Sequence, residues 1–340
     1  MDTQKLINTA QSLMANSKGL LAMDESNPTL NKRFAAAGIP QTEEYRRAYR
    51  EMIVTTPRLS ESISGVILYD ETIHQQLTDG TPFIKAALNA GLIPGIKVDE
   101  GTRNLALHPG EKVTQGLDGL PERLNHYAKM ELRFAKWRAV ITIGEKIPTA
   151  ACIQANAHSL ARYAALCQQV GMVPIIEPEV LMDGSHSIQQ CYDVTFRVLL
   201  TVFEQLYTQD VLPEGIILKP NMVVPGLNSP TQATAEEVAN LTVKCLLRAV
   251  PAAVPGIAFL SGGQSARLAS ARLSAMNKQF HDSIPWALSF SFARAIQQPA
   301  IDIWQGKSGH VPEAQQALLH RADCNRAACK GQYTEAMERN

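Results

Sequence analysis

The chain has 340 residues, 45% hydrophobic and 19% charged, with 32 Lys plus Arg against 32 Asp plus Glu. A formal net charge of zero supplies no overall field to draw the protein onto nucleic acid or an acidic membrane surface, so any anion site has to be built locally. There is ample apolar material for a large core, and the length suits one closed α/β barrel as well as two average domains.

In chain order, the opening MDTQKLINTAQSLMANSKG alternates polar and apolar residues at helical spacing and lacks the apolar region of a secretory signal. No later apolar run is long enough to span a bilayer. Short aliphatic runs then recur: GLLAMD (19–24), ISGVILYD (63–70), LIPGIKVD (92–99), AKWRAVITI (135–143), MVPIIEPE (172–179), GIILKP (215–220), GIAFLSGG (256–263) and WALSFSF (286–292). Each reads as a buried strand. Between most of them lie segments with apolar residues at three- and four-residue steps, at 42–56, 149–170, 186–209 and 232–250. Pro28 suits a helix's first turn and Gly38 its stop, and LPERLNHYAKM (120–130) opens the same way. Eight alternating units predict an α/β fold, a TIM (β/α)8 barrel forming a single domain over residues 1–340. An N-terminal helix precedes it, and a polar tail from about residue 320 is expected to be mobile.

The strand ends carry the charge. Lys97 and Asp99, Lys136 and Arg138, and Glu177 and Glu179 each stand two apart, so each pair shares one face of its strand. Asp24 ends the first run, Lys219 the sixth, and Arg294 follows the eighth. All would lie at the C-terminal rim of a barrel, where the chemistry of such folds sits. Singly, each has a plainer reading: Asp24 as a helix cap, Glu177 or Glu179 as half of a structural ion pair, Lys219 as a solvated strand end. Their common placement favours a site. SGGQS (261–265) follows a strand and precedes a helical segment, so its small residues let backbone N–H groups approach an anion. The six cysteines form no CxxC pair and the eight histidines no HExxH, which predicts reduced thiols and no metal.

In their order, AMDES, GIKVD, QGLDGL, FAKWR, VPIIEPE, ILKPNMV, FLSGGQS and WALSFSFARA resemble the class I fructose-bisphosphate aldolases over about residues 5–335. AMDESN is closer to plastid and bacterial members than to animal ones. The resemblance implies a metal-independent lyase without cofactor, acting in glycolysis, gluconeogenesis or the Calvin cycle. It would cleave fructose 1,6-bisphosphate, with sedoheptulose 1,7-bisphosphate as an additional candidate. It further implies Lys219 as the Schiff-base amine, Glu177 as acid/base, Glu179 in support, and Asp24 and Lys136 orienting hydroxyls and stabilising charge. Ser261, Gly262, Gly263 and Arg294 resemble the C1-phosphate site, with Ala293 where many relatives have Gly, and Ser291 is implied as a further substrate or phosphate contact. Lys97, Arg138, Ser26 and Thr29 resemble contacts near the C6 phosphate, Thr29 standing where serine is common, with Lys32 and Arg33 nearby. A homotetramer, no nucleic-acid or membrane partner, and a cytoplasmic or plastid-stroma location are implied as well. Many eukaryotic members end in a tyrosine that helps protonate the enamine; here the ending is MERN and the last tyrosine is Tyr333. The rival readings are another Schiff-base barrel lyase, such as a transaldolase or deoxyribose-phosphate aldolase, and a catalytically idle barrel serving as a binding scaffold.

Overall fold

In the computed structural model, which describes residues 2–339, ten strands form. They are β1 Gly19–Ala22, β2 Ile63–Leu68, β3 Ile93–Lys97, β4 Thr102–Asn104, β5 Lys112–Thr114, β6 Phe134–Ile141, β7 Val173–Val180, β8 Ile217–Leu218, β9 Gly256–Phe259 and β10 Ala287–Phe292. Eight of them close into a parallel barrel in the order β1-β10-β9-β8-β7-β6-β3-β2, and all eight lie on the aliphatic runs read from the sequence. β4 and β5 make a separate antiparallel hairpin that the sequence reading did not contain. Its signal was the HPG turn at 108–110 between two three-residue strands, too short to show a period of two.

β8 is brief because Pro220 has no N–H to give to the ladder. The Lys219 N–H still donates to the Ile176 carbonyl at 2.8 Å, and the Pro220 carbonyl accepts from the Leu260 N–H at 3.1 Å, so Lys219 is held in place between its two neighbouring strands.

Helices Glu43–Val54, Ala150–Gln169, Ile188–Thr208 and Ala235–Ala249 occupy the four helical segments expected from the sequence. Two of them start on complete capping boxes, Ser187 with Gln190 and Thr234 with Glu237, which satisfy otherwise orphaned N–H groups. Their apolar faces and the outward residues of the strands form one large core.

A second core fills the barrel. Leu20, Ala22, Ile67, Phe134, Val173, Ile175, Ile217 and Ala258 pack there with Leu6, Ala10, Leu13 and Met14 of the helix Thr3–Met14. That helix plugs the N-terminal mouth. Room for it exists because Gly215, Gly65 and Gly256 lack side chains where Leu6, Leu13 and Met14 enter. Alternate strand residues share a face, so the inward direction set by the apolar layer is also that of the charged residues above it. Two residues after Phe134, Ile175, Ile217 and Ala22 come Lys136, Glu177, Lys219 and Asp24.

The tail expected to be mobile is folded. Helix Val311–Cys329 packs against helices Ala266–Phe280 and Arg294–Trp304, and Cys324, Asn325, Ala328 and Cys329 are buried. Beyond it, the Tyr333 hydroxyl donates to Glu338 Oε1 at 2.7 Å, and Glu338 pairs with the buried Arg321. Arg321, Tyr333 and Glu338 thus bond to one another, while Lys330, Gln332, Thr334 and Glu335 remain exposed. Asn340, which closes the MERN ending, lies outside the described residues.

A β-carbon at position 65 would stand 2.8 Å from Leu13 Cδ2 and 2.9 Å from the Ile93 carbonyl oxygen, and the carbonyl cannot yield. Gly65→Ala is therefore expected to cost about 1–3 kcal/mol of stability in urea denaturation. Adding Leu13→Ala should not restore it, because the backbone clash remains.

Candidate active site

Four charged side chains form one chain of ion pairs at the C-terminal mouth. Lys136 Nζ lies 3.0 Å from Asp24 Oδ2 and 2.8 Å from Glu177 Oε2, and Lys219 Nζ lies 3.2 Å from Glu177 Oε1. All four are buried. Strand register explains the pairing: Lys136 stands opposite Ile175 and Arg138 opposite Glu177, so each cation reaches the acid two residues further along β7. The stagger that closes the barrel makes this diagonal approach available. Arg138 Nε accordingly meets Glu179 Oε2 at 2.5 Å.

Burial alone would push the Asp24 and Glu177 carboxyls up, but Lys136 and Lys219 outweigh it and hold both below the ordinary carboxylate range. For Lys136, burial works downward and is overcome by Asp24 and Glu177, so its ammonium is held above the ordinary lysine value. The Arg138 guanidinium is likewise raised, Glu179 outweighing its burial. At neutral pH the site thus alternates negative, positive, negative around Lys219.

A cavity of about 1150 Å³ opens over these groups and is lined by Asp24, Ser26, Thr29, Lys97, Lys136, Arg138, Glu177, Lys219 and Ala293 among others. Lys97 Nζ is folded back onto Asp99, 2.8 Å from its carboxylate and 2.7 Å from its carbonyl oxygen. The hydroxyls of Ser26 and Thr29 lie 3.0 Å apart at the start of the helix Asn27–Ala36. Arg33, from the same helix, is turned to Glu25 and to Gln297 Oε1 at 2.7 Å, while Lys32 is exposed.

Glu179, Ser261, Gly262, Gly263, Ser291 and Arg294 are not among the residues that line this cavity. Gly262 and Gly263 have φ of 60° and 97°, the left-handed region that glycine reaches without strain. A β-carbon on Gly263 would lie 3.6 Å from Arg294 Nη2, so the guanidinium passes close over the turn. The Ser291 hydroxyl, on β10, is buried without a hydrogen-bond partner. Among the described residues no group of three or more His, Cys, Asp and Glu side chains is arranged to hold a metal ion, and no helix is long and apolar enough to cross a membrane.

Sequence reading missed several parts of the cavity wall. Tyr69, His126 and Tyr127 line it, as do Thr102 and Arg103 from the β4–β5 hairpin. Lys97 Nζ lies 5.9 Å from the centroid of the Tyr69 ring. Only Tyr69 had a usable signal, its place at the end of a strand run.

The family model described as fructose-bisphosphate aldolase class-I matches residues 5–340. The chain is 53% identical over 334 residues to a probable fructose-bisphosphate aldolase class 1 of Xanthomonas campestris pv. campestris, covering 98% of this chain and 99% of that relative. It is 50% identical over 329 residues to the cytosolic fructose-bisphosphate aldolase 6 of Arabidopsis thaliana, covering 97% and 91%. Among solved structures, the fructose-bisphosphate aldolase of Plasmodium falciparum, in a complex with TRAP and a small-molecule inhibitor, matches with a TM-score of 0.95 and 46% identity, covering 97% of this chain and 95% of that one.

Asp24 and Glu177, held low, contribute stability that is full above about pH 4 and is lost as acid carries them through their depressed values. Lys136→Met leaves two buried carboxylates to share Lys219, so at least one rises above its unfolded value and the variant gains stability as pH falls. Urea denaturation should show a deficit of about 3–5 kcal/mol at pH 7 that narrows toward pH 5; a deficit independent of pH would contradict this assignment.

Proposed function

The chain belongs to the class-I fructose-bisphosphate aldolase family, whose reaction it carries out as a lyase, and from that premise we propose that Lys219 is its Schiff-base nucleophile and Glu177 its acid/base. The observation that carries this reading is the 3.2 Å approach of Lys219 Nζ to Glu177 Oε1 within a buried run of ion pairs.

The chemistry rests on that approach. Lys219 must shed a proton before it can attack the C2 ketone, and Glu177 is the carboxylate beside it. The proton so acquired is the one Glu177 returns when the carbinolamine hydroxyl departs as water, leaving a protonated imine. Again a carboxylate, Glu177 accepts the C4 hydroxyl proton; the C3–C4 bond breaks, the aldehyde leaves, and the electron pair is taken up by the imine as an enamine. Lys136, held cationic, keeps Glu177 ionised between these steps, and Asp24 keeps Lys136 in place. Glu179 acts on Arg138 rather than on the reacting carbons. No step calls on a metal or a bound cofactor.

Two anchors hold the substrate ends in this reading. Ser261, Gly262, Gly263, Ser291 and Arg294 take the C1 phosphate; the orphaned Ser291 hydroxyl and the guanidinium over Gly263 support this. Lys97, Arg138, Ser26 and Thr29 take the C6 phosphate at the other side of the cavity, with Lys97 exchanging Asp99 for the ligand. The same anchors and a cavity of about 1150 Å³ also suit sedoheptulose 1,7-bisphosphate. A homotetramer in the cytoplasm is the assembly and place that membership of this family favours; cytosolic relatives support the latter. Tyr333 is a poor candidate for the enamine proton donor, because its hydroxyl is committed to Glu338.

Borohydride treatment with fructose 1,6-bisphosphate or dihydroxyacetone phosphate should leave a stable adduct whose peptide mass maps to Lys219, and Lys219→Arg should abolish it. An adduct on another lysine, or none, would sink the assignment. Glu177→Gln should lower kcat by about 10²–10⁴ while dihydroxyacetone phosphate still binds, a split that steady-state kinetics and ligand titration measure separately.

A further inference from the structure

Six lysine or arginine residues are buried among the described residues: Arg46, Arg50, Lys136, Lys219, Arg272 and Arg321. Five of them sit in ion pairs, with Glu71, Glu71, Asp24 and Glu177, Glu177, and Glu338 respectively, Arg272 being the exception. Arg272 is 4% exposed and has no ion pair among the described residues. Its Nη1 donates to Gln264 Oε1 at 2.7 Å, and its Nε has no partner. Burial pushes its guanidinium below the ordinary arginine range, with no charged neighbour opposing it.

The surroundings make the charge more costly still. Arg272 belongs to the helix Ala266–Phe280, capped by Ser265, yet its side chain reaches back to Gln264, ahead of the cap. Long helical side chains lean toward the N-terminus, so this guanidinium comes to lie at the positive end of its own helix. Gln264 in turn ties two loops together: its N–H donates to the Ser261 carbonyl at 3.0 Å, and its side-chain amide to Met222 Sδ at 3.7 Å, three residues past Lys219. The turn that Gln264 belongs to carries Gly262 and Gly263, with Arg294 close over it. A helix N-terminus and two arginines thus meet at one turn, and Arg272 brings no carboxylate with it.

We propose that Arg272 is a positioning residue for phosphate binding: through Gln264 it fixes the turn Ser261–Ser265, and its charge is balanced when a phosphate group occupies that turn. This rests on the reading of the turn as the C1-phosphate anchor. An unpaired buried cation is a standing cost in the free protein, and binding of a phosphate dianion removes that cost. Arg272 does not touch the reacting carbons, so its effect falls on affinity for the phosphate-bearing half of the substrate.

The test uses dihydroxyacetone phosphate, which presents one phosphate next to the ketone. The full-length wild type, Arg272→Met and Arg272→Lys are titrated with it, trapped with borohydride, and the fraction of Lys219 modified is read by peptide mass. Thermal unfolding is followed with and without the ligand. Arg272→Met is expected to raise the half-saturating concentration about tenfold, the size that loss of one charge-assisted contact gives, with the plateau unchanged and Arg272→Lys recovering most of it. Ligand-free Arg272→Met should unfold no lower than wild type, and its ligand-induced rise in Tm should be smaller. An unchanged half-saturation, or a Tm lowered equally with and without ligand, would overturn the inference. Failure of the wild type to form the Lys219 adduct would overturn the functional reading and this inference with it, whereas an adduct that ignores Arg272 overturns the inference alone.

Discussion

The pairing of Lys136 with both Asp24 and Glu177 is the contact on which the rest of the site depends. Four ionisable groups out of water would each cost several kcal/mol of desolvation, a cost that the opposite charge beside each of them offsets. Lys136 is the member with two acids, and it leaves Glu177 one oxygen for Lys219. Removing Lys136 takes away the ion pair of Asp24 and leaves Glu177 with Lys219 alone. The arrangement is therefore selective for composition as well as geometry: two buried carboxylates require cations around them, and Lys136 between Asp24 and Glu177 helps keep both ionised.

The barrel supplies what the ion pairs need, a wall that excludes water on one side and a rigid register on the other. Its interior changes character along each strand, from the apolar layer of Phe134, Ile175 and Ile217 to Lys136, Glu177 and Lys219 two residues later. The N-terminal helix seals the opposite mouth with Leu6, Leu13 and Met14, so the charged layer has a dry floor. Packing at one end and electrostatics at the other are thus coupled through the period of two in the strands.

The two proposed phosphate anchors differ in how their cations are already engaged. On the Lys97 side the cations are already engaged, Lys97 with Asp99 and Arg138 with Glu179, so a phosphate there would compete with resident carboxylates. On the Gly262–Gly263 side a helix N-terminus, Arg294 and the unpaired Arg272 converge, and the turn is held by backbone and amide contacts instead of acids. If the proposed anchors hold, asymmetry of this kind would give one end of a bisphosphate a stronger hold, which would suit a reaction in which one half of the substrate stays bound covalently while the other leaves.

The order of the aliphatic runs and their charged ends were legible in the sequence because strand periodicity is local: Lys136 and Arg138, or Glu177 and Glu179, must share a face whatever surrounds them. Eight runs were enough for the barrel, and the motifs from AMDES to SFSFARA were enough for the family. The partners were not legible. Which acid Lys136 meets depends on the register between β6 and β7, and that a tail rich in polar residues would fold back through Arg321, Tyr333 and Glu338 depends on contacts with helices far away in the chain. The short β4–β5 hairpin and the solitary Arg272 belong to the same class. Residue type and spacing set the faces and the chemistry each strand could offer, while only the closed fold decided which charges were paired, which were left alone and how dry their surroundings became, because burial and pairing are properties of distance in space and not of distance along the chain.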